Sequence, residues 1–245
     1  MTRYFIEVAY KGTNYSGFQI QENANTIQSE IEKALKILNR FPIALTGSSR
    51  TDAGVHALQN YFHFDFEEEL NPKFLYKINS LLPNDIVIKS IHKKDVRAHC
   101  RFDATSREYE YKIYQTKDPF IKDYAFYYPY SLDFELLSKA SFIIKEQTNF
   151  FAFAKTNSQV NNYNCIIQKS QWYFQNQTLI YNVKGNRFLR GMVRLLTATQ
   201  LQVARKKMTL DQFIELFQNN IKCSLSVPPQ GLFLSSVEYP LNYFK

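Results

Sequence analysis

Glycine is scarce, with seven residues in 245, where a typical protein carries about 7%. That excludes collagen-like and glycine-rich low-complexity chains, and it means each glycine present needs a reason. Cysteine is also sparse. Cys100, Cys165 and Cys223 are odd in number and far apart, so neither a disulfide framework nor a CxxC pair can be drawn. A reducing compartment fits best. No run approaches the ~18 consecutive apolar residues of a membrane helix. The opening MTRYFIEVAY enters a strand pattern at once and lacks the basic, apolar and small-residue order of a signal peptide. There is no GxGxxG and no P-loop. These absences lead us to expect a soluble cytoplasmic protein with no membrane contact.

Against these absences stands an excess of cations and aromatic rings. Lys plus Arg is 30 against 22 Asp plus Glu, giving +8 and a pI near 9.2. Phe and Tyr number 21 and 17, with a single Trp. Hydrophobic residues make up 45%, enough for a core, which excludes intrinsic disorder as the main state. A basic, ring-rich chain suggests an anionic, base-bearing partner such as RNA. Many soluble proteins are basic, so charge alone does not decide.

Periodicity outlines an α+β chain. Tyr4, Ile6, Val8 and Tyr10 alternate with Phe5, Glu7 and Ala9, the pattern of a half-buried strand. Asn25, with Gln28 three residues on, reads as the capping box of a helix carrying Ile27, Ile31, Ala34, Leu35 and Leu38 on one face. Phe41–Thr46 and Leu58–Asp65 read as strands. Asn71 and Pro72 start a second helix, and Ile86–Ile91 is a strand. The order β-α-β-β-α-β is a split β-α-β unit. The second half repeats the theme. Strands are expected at Tyr109–Tyr114, Cys165–Phe174, Leu179–Lys184 and Leu232–Tyr239. Helices are expected from Asp133 to about Ile144, from Gly191 to Ala204, and after Thr209 with Gln212 in a capping box. Residues 116–131 and 154–164 read as loops. We expect two ferredoxin-like halves, 1–105 and 106–245, joined into one extended, mainly antiparallel sheet with helices on one face.

The segment richest in chemistry is Gly47-Ser48-Ser49-Arg50-Thr51-Asp52-Ala53-Gly54-Val55-His56-Ala57. It sits between two expected strands, where rigid elements can hold a loop in place. Arg50 beside Asp52 favours the ionised carboxylate, which can serve as nucleophile, base or metal ligand. The same residues would also suit a plain turn with a surface ion pair. His56, His63, His92 and His99 stand seven apart in pairs with strands and loops between, which is not the spacing of a zinc site. Lys93, Lys94, Arg97, Arg101, Arg187, Arg190, Arg205, Lys206 and Lys207 together suit a salt-sensitive contact with phosphates.

Arg50-Thr51-Asp52-Ala53-Gly54-Val55-His56-Ala57 resembles the RTDxGVHA signature of the tRNA pseudouridine synthase A family, and the resemblance extends along the chain. Tyr10–Gln19 is similar to that family's YDGxxYxGWQ opening, and His99–Tyr111 to its HARFxAxxRxYxY segment. Asn186–Arg194 resembles its FxxxMVR helix, and Pro228–Leu234 its closing PxxGLxL strand. Five motifs in the right order span nearly the whole length. Lys11 stands where the family often has Asp, Phe18 where it often has Trp, and Ser49 where it usually has Gly. Leu58-Gln59-Asn60 replaces a Gly-Gln pair. These departures bear on substrate preference and leave the carboxylate and its cations in place.

The resemblance implies isomerisation of uridine to pseudouridine at positions 38, 39 and 40 of the tRNA anticodon stem-loop, by a homodimer with no cofactor and no metal. It makes Asp52 the catalytic nucleophile, with Arg50 on the RNA backbone or the extruded nucleotide. It sets Tyr109 beside the flipped uracil and makes Arg194 the basic partner that orients Asp52. A second reading, a non-catalytic RNA-binding protein with tandem split β-α-β sheets, is weakened by the lack of an RNP1-like run. A metal-dependent hydrolase ranks third, because no second carboxylate lies in the loop.

Overall fold

In the computed structural model, which describes residues 1–156, 162–219 and 221–244, the fold is α+β, with five α-helices and the strands of a nine-stranded mixed sheet. The chain divides into two compact units, Met1–Thr105 with Leu234–Lys245, and Ser106–Phe233. The closing strand thus carries the last segment of the chain back into the first unit.

In the first unit, β1 (Thr2–Tyr10) pairs antiparallel with β3 (His56–Phe66) and with β4 (Ile86–Lys94). The short β2 (Thr46–Gly47) lies on the far side of β3, and β9 (Leu232–Glu238) also borders β3. Tyr4, Ile6, Val8 and Tyr10 are buried as the alternation requires, but so is Phe5, at 0% exposed. The second face of β1 is therefore not open at Phe5. Rings of Tyr239, Tyr243 and Phe244 meet Phe5 edge-on at 5.9–6.2 Å, so the segment after β9 covers it.

Helix α1 (Ile27–Asn39) is capped by Thr26, not Asn25. Thr26 Oγ1 accepts from Ser29 N, and Ser29 Oγ accepts from Thr26 N, so serine takes the place usually held by Glu or Gln in the box. Gln28 turns instead to Glu32 and to the Leu45 carbonyl. The strand expected over Phe41–Thr46 shrinks to β2. Pro42 brings no N–H to a ladder, and Leu45 N is taken by the Glu32 carboxylate at 2.9 Å. The second helix, α2 (Phe74–Asn79), starts late. Asn71 Oδ1 accepts from Lys73 N in a local turn, which holds Pro72 outside the helix.

In the second unit, β5 (Ser106–Tyr114) pairs antiparallel with β8 (Thr178–Gly185), which pairs with β7 (Ile167–Gln175). Two residues of the expected 116–131 loop form β6 (Phe126–Tyr127), parallel to the end of β5. Strand β7 begins after Cys165 and Ile166, whose N–H groups bond Thr148 O and Asn186 Oδ1 instead of a ladder. Asp133 caps α3 (Phe134–Glu146), and Thr209 with Gln212 forms the capping box of α5 (Leu210–Gln218). Helix α4 (Met192–Ala204) is the buried one. Its Gln200 Oε1 accepts from both Trp172 Nε1 at 2.8 Å and Ser141 Oγ at 2.9 Å, and Trp172 stacks on Tyr181 at 5.0 Å. Part of the expected 154–164 loop, residues 157–161, lies outside the described residues.

Candidate active site

The loop between β2 and β3 carries Arg50 and Asp52, and it is fastened mostly through its backbone. On one side, Ser48 N donates to Tyr61 O at 2.8 Å, and Asn60 Nδ2 donates to Ser49 O at 2.9 Å. Next, Tyr10 Oη and Thr51 Oγ1 are bonded at 2.9 Å, and Phe18 N donates to Thr51 O at 3.1 Å. On the other side, Val55 N donates to Asp52 O, and Gly54 N to Tyr15 O. His56 Nδ1 accepts from Gly12 N at 3.1 Å, so this histidine ties its loop to the turn after β1. Asp52 itself is half-buried, Thr51 is buried, and Arg50 is exposed.

Two glycines show why the Tyr10–Gln19 segment and this loop belong together. A Cβ on Gly12 would lie 1.9 Å from the Val55 carbonyl oxygen, well inside van der Waals contact with backbone. Gly17 sits at φ +106°, a region L-residues rarely enter, and its Cβ would meet Thr51 O at 3.0 Å. The turn after β1 is fixed in its own right. Lys11 N donates to Asp85 O at 2.9 Å and Tyr15 Oη to Asp85 Oδ1 at 2.5 Å. Burial and that carboxylate push the Tyr15 hydroxyl pKa up, keeping it a donor. The sequence reading found the loop but not this brace, although four of the seven glycines (12, 17, 47 and 54) flank it.

Tyr109 and Arg194 lie in the second unit. Tyr109, on β5, is 8% exposed and meets Phe188 edge-on at 5.1 Å. Arg194 stands in the first turn of α4, half-buried, with Nε donating to Val227 O at 2.8 Å. The segment that takes this bond also supplies Pro228 O, which accepts from Tyr111 Oη at 2.8 Å. Of the four expected site residues, then, Arg50 and Asp52 share one loop, and Tyr109 and Arg194 sit on separate elements of the other unit.

Several of the cations expected to line an RNA cleft already have local partners. Lys93 pairs with Glu69 at 3.0 Å, Arg97 with Asp95 at 2.9 Å and Lys206 with Asp133 at 3.5 Å. Arg205 lies over the Tyr130 ring at 3.6 Å.

One cluster was not visible from histidine spacing alone. The ligand atoms of His63, His99 and Cys100 lie within 4.8 Å of one another. Their hydrogen bonds do not suit a metal. A ligating imidazole donates its second N–H to an acceptor, but here His63 Nδ1 accepts from Cys100 N and His99 Nδ1 from Arg101 N. The neutral rings therefore carry their proton on Nε2, the atom that would have to bind. Cys100 Sγ lies 3.1 Å from Thr46 O as its donor. Burial first, then Arg3 and His99, push the His63 pKa down to about 4, so the ring is neutral near pH 7.

A family model described as tRNA pseudouridine synthase matches residues 6–103 and 147–240. The chain belongs to the tRNA pseudouridine synthase family. The tRNA pseudouridine synthase A of Parabacteroides distasonis is 40% identical over 248 residues, covering 100% of this chain and 98% of that protein. That of Bacteroides thetaiotaomicron is 38% identical over 250 residues, covering 100% and 93%. That of an Exiguobacterium species is 35% identical over 243 residues, covering 98% of each. Members of the tRNA pseudouridine synthase family are isomerases that convert uridine to pseudouridine in tRNA. Family membership sets aside both the non-catalytic RNA-binding reading and the metal-dependent hydrolase. Among the described residues, no helix is long and apolar enough to cross a membrane.

Proposed function

We propose that this protein isomerises uridine to pseudouridine at positions 38, 39 and 40 of the tRNA anticodon stem-loop, in the cytoplasm, as a homodimer, without cofactor or metal. The reaction moves the ribose from a ring nitrogen of uracil to a ring carbon. The bond broken and the bond made both belong to the substrate, and the proton the carbon loses balances the one the nitrogen gains, so no redox partner is needed. Asp52 is the nucleophilic carboxylate in this reading. Arg50 holds the RNA backbone or the extruded nucleotide, Tyr109 stacks on the flipped base, and Arg194 orients the carboxylate. The observation that best supports the reading is the bracing of the Asp52 loop. Its backbone is held on both flanks while the carboxylate stays half-exposed, as a preorganised reacting group should be.

Asp52→Asn keeps shape and removes charge. Turnover should fall on the order of 10³-fold or more, with tRNA binding and thermal unfolding close to wild type. Near-normal turnover in purified Asp52→Asn would overturn the assignment. Activity should persist in EDTA with folded tRNA. Affinity should fall steeply with salt, log K losing ~0.7–0.9 per phosphate contact for each unit of log salt. A fully active monomer would remove the dimer from the proposal.

A further inference from the structure

We infer that Asn60 is a positioning residue for Asp52, acting through a hydrogen-bonded relay that links Asn60, Tyr10 and Thr51. This rests on the reading of Asp52 as the reacting carboxylate. Asn60 is 0% exposed, on β3. Its Oδ1 accepts from Tyr61 N at 2.9 Å, and that fixes which end of the amide is which. Nδ2 therefore faces inward and donates twice, to Ser49 O at 2.9 Å and to Tyr10 Oη at 3.3 Å. An amide nitrogen cannot accept, so the Tyr10 oxygen receives there, and the same hydroxyl is hydrogen-bonded to Thr51 Oγ1, 2.9 Å away. Thr51, one residue before Asp52, is thereby tied through its side chain and the Tyr10 hydroxyl to Asn60. Ser49 and Thr51 are thus both linked to one buried amide. A displacement of about 1 Å at a reacting group can cost on the order of 100-fold in rate. Phe18 N and Val55 N hold Thr51 O and Asp52 O as backbone groups, while Asn60 reaches the N-terminal flank of the loop with its side chain, as Tyr239 Oη does at Ser48 Oγ.

Three variants test the relay in the full chain with tRNA as substrate. Tyr10→Phe deletes one hydroxyl, Thr51→Val deletes the other at constant shape, and Asn60→Ala deletes both amide donations. Each should lower kcat about 10- to 100-fold while KM and tRNA affinity stay within about twofold. Thr51→Ser, which restores the oxygen, should recover most of kcat. Tyr10→Phe combined with Thr51→Val should cost no more than the worse single variant, because both break the same bond. If Asn60→Ala fails to fold, Tyr10→Phe and Thr51→Val decide alone. Full kcat in the folded variants would overturn the relay, and so would a loss that appears equally in tRNA affinity. If they keep full kcat while Asp52→Asn is inactive, only the relay fails. If Asp52→Asn turns over normally, the reading beneath it fails instead.

Discussion

The Asp52 loop and the core around α4 hold their residues in opposite ways. In the first unit, precision comes from backbone against backbone. Gly12 and Gly17 let the turn after β1 approach the loop more closely than any side chain allows, and the loop's N–H and C=O groups are taken by neighbours. In the second unit, precision comes from large side chains locked by polar contacts. Tyr111 and Tyr181 are 0% exposed, and Gln200 joins Trp172 to Ser141. The first arrangement has almost no room to adjust. The second can redistribute a lost contact among many neighbours. Asp52, the carboxylate we propose to react, sits on the rigid arrangement, where a small shift would be costly.

The sharpest way to break this contrast is Gly12→Ala. The added methyl meets the Val55 backbone carbonyl, on a residue whose N–H is tied to Asp52 O, so we expect a loss of ~4 kcal/mol or more by chemical denaturation, with turnover lost in whatever folds. A loss below ~1 kcal/mol would show that the brace can yield. Gln200→Leu probes the other arrangement at nearly constant volume. It leaves the Trp172 and Ser141 donors buried and unpaired, and should cost ~3 kcal/mol, while kcat per folded molecule remains near wild type. The smallest effect concerns acid. His63 has its folded pKa lowered from 6.5 to about 4, through burial first and then Arg3 and His99, with Asp65 and Asp103 opposing. The unfolded chain therefore binds the proton more readily, and stability falls as pH drops below 6.5 toward 4. Between pH 6.5 and 5 the loss should be ~2 kcal/mol. Urea unfolding of wild type and His63→Gln across that range checks it, with a flatter slope in the variant; parallel slopes would refute it.

Much of the architecture was legible because local rules and burial agree there. Asp133 and Thr209 cap helices as their side chains predict, and the β-strand alternation places Tyr4 to Tyr10 correctly. The reading failed where a side chain from elsewhere took over the backbone. Glu32 takes Leu45 N and ends any strand there. Ser29 supplies a capping partner that looks like an ordinary helix residue. Phe5 is buried because rings some 234 residues later in sequence fold back on it, which no local pattern carries. At the site, the motif revealed the loop and Asp52. It did not reveal Asn60, because a strand asparagine carries no signal of its partners until Tyr10 and Ser49 are placed beside it.

The return of β9 and the rings that follow it also governs the order of events during synthesis. Tyr239 Oη donates to Cys100 O and Tyr243 Oη to Asp103 Oδ2 at 2.6 Å, so residues translated after the second unit are structural parts of the first. Emerging from the ribosome at about 5–20 residues per second, the first unit has its Asp52 loop translated early but lacks its outer aromatic cover until residues 234–244 emerge. For that interval Phe5 and Tyr61 stay uncovered. The first unit thus gains its aromatic cover only after the second has been made.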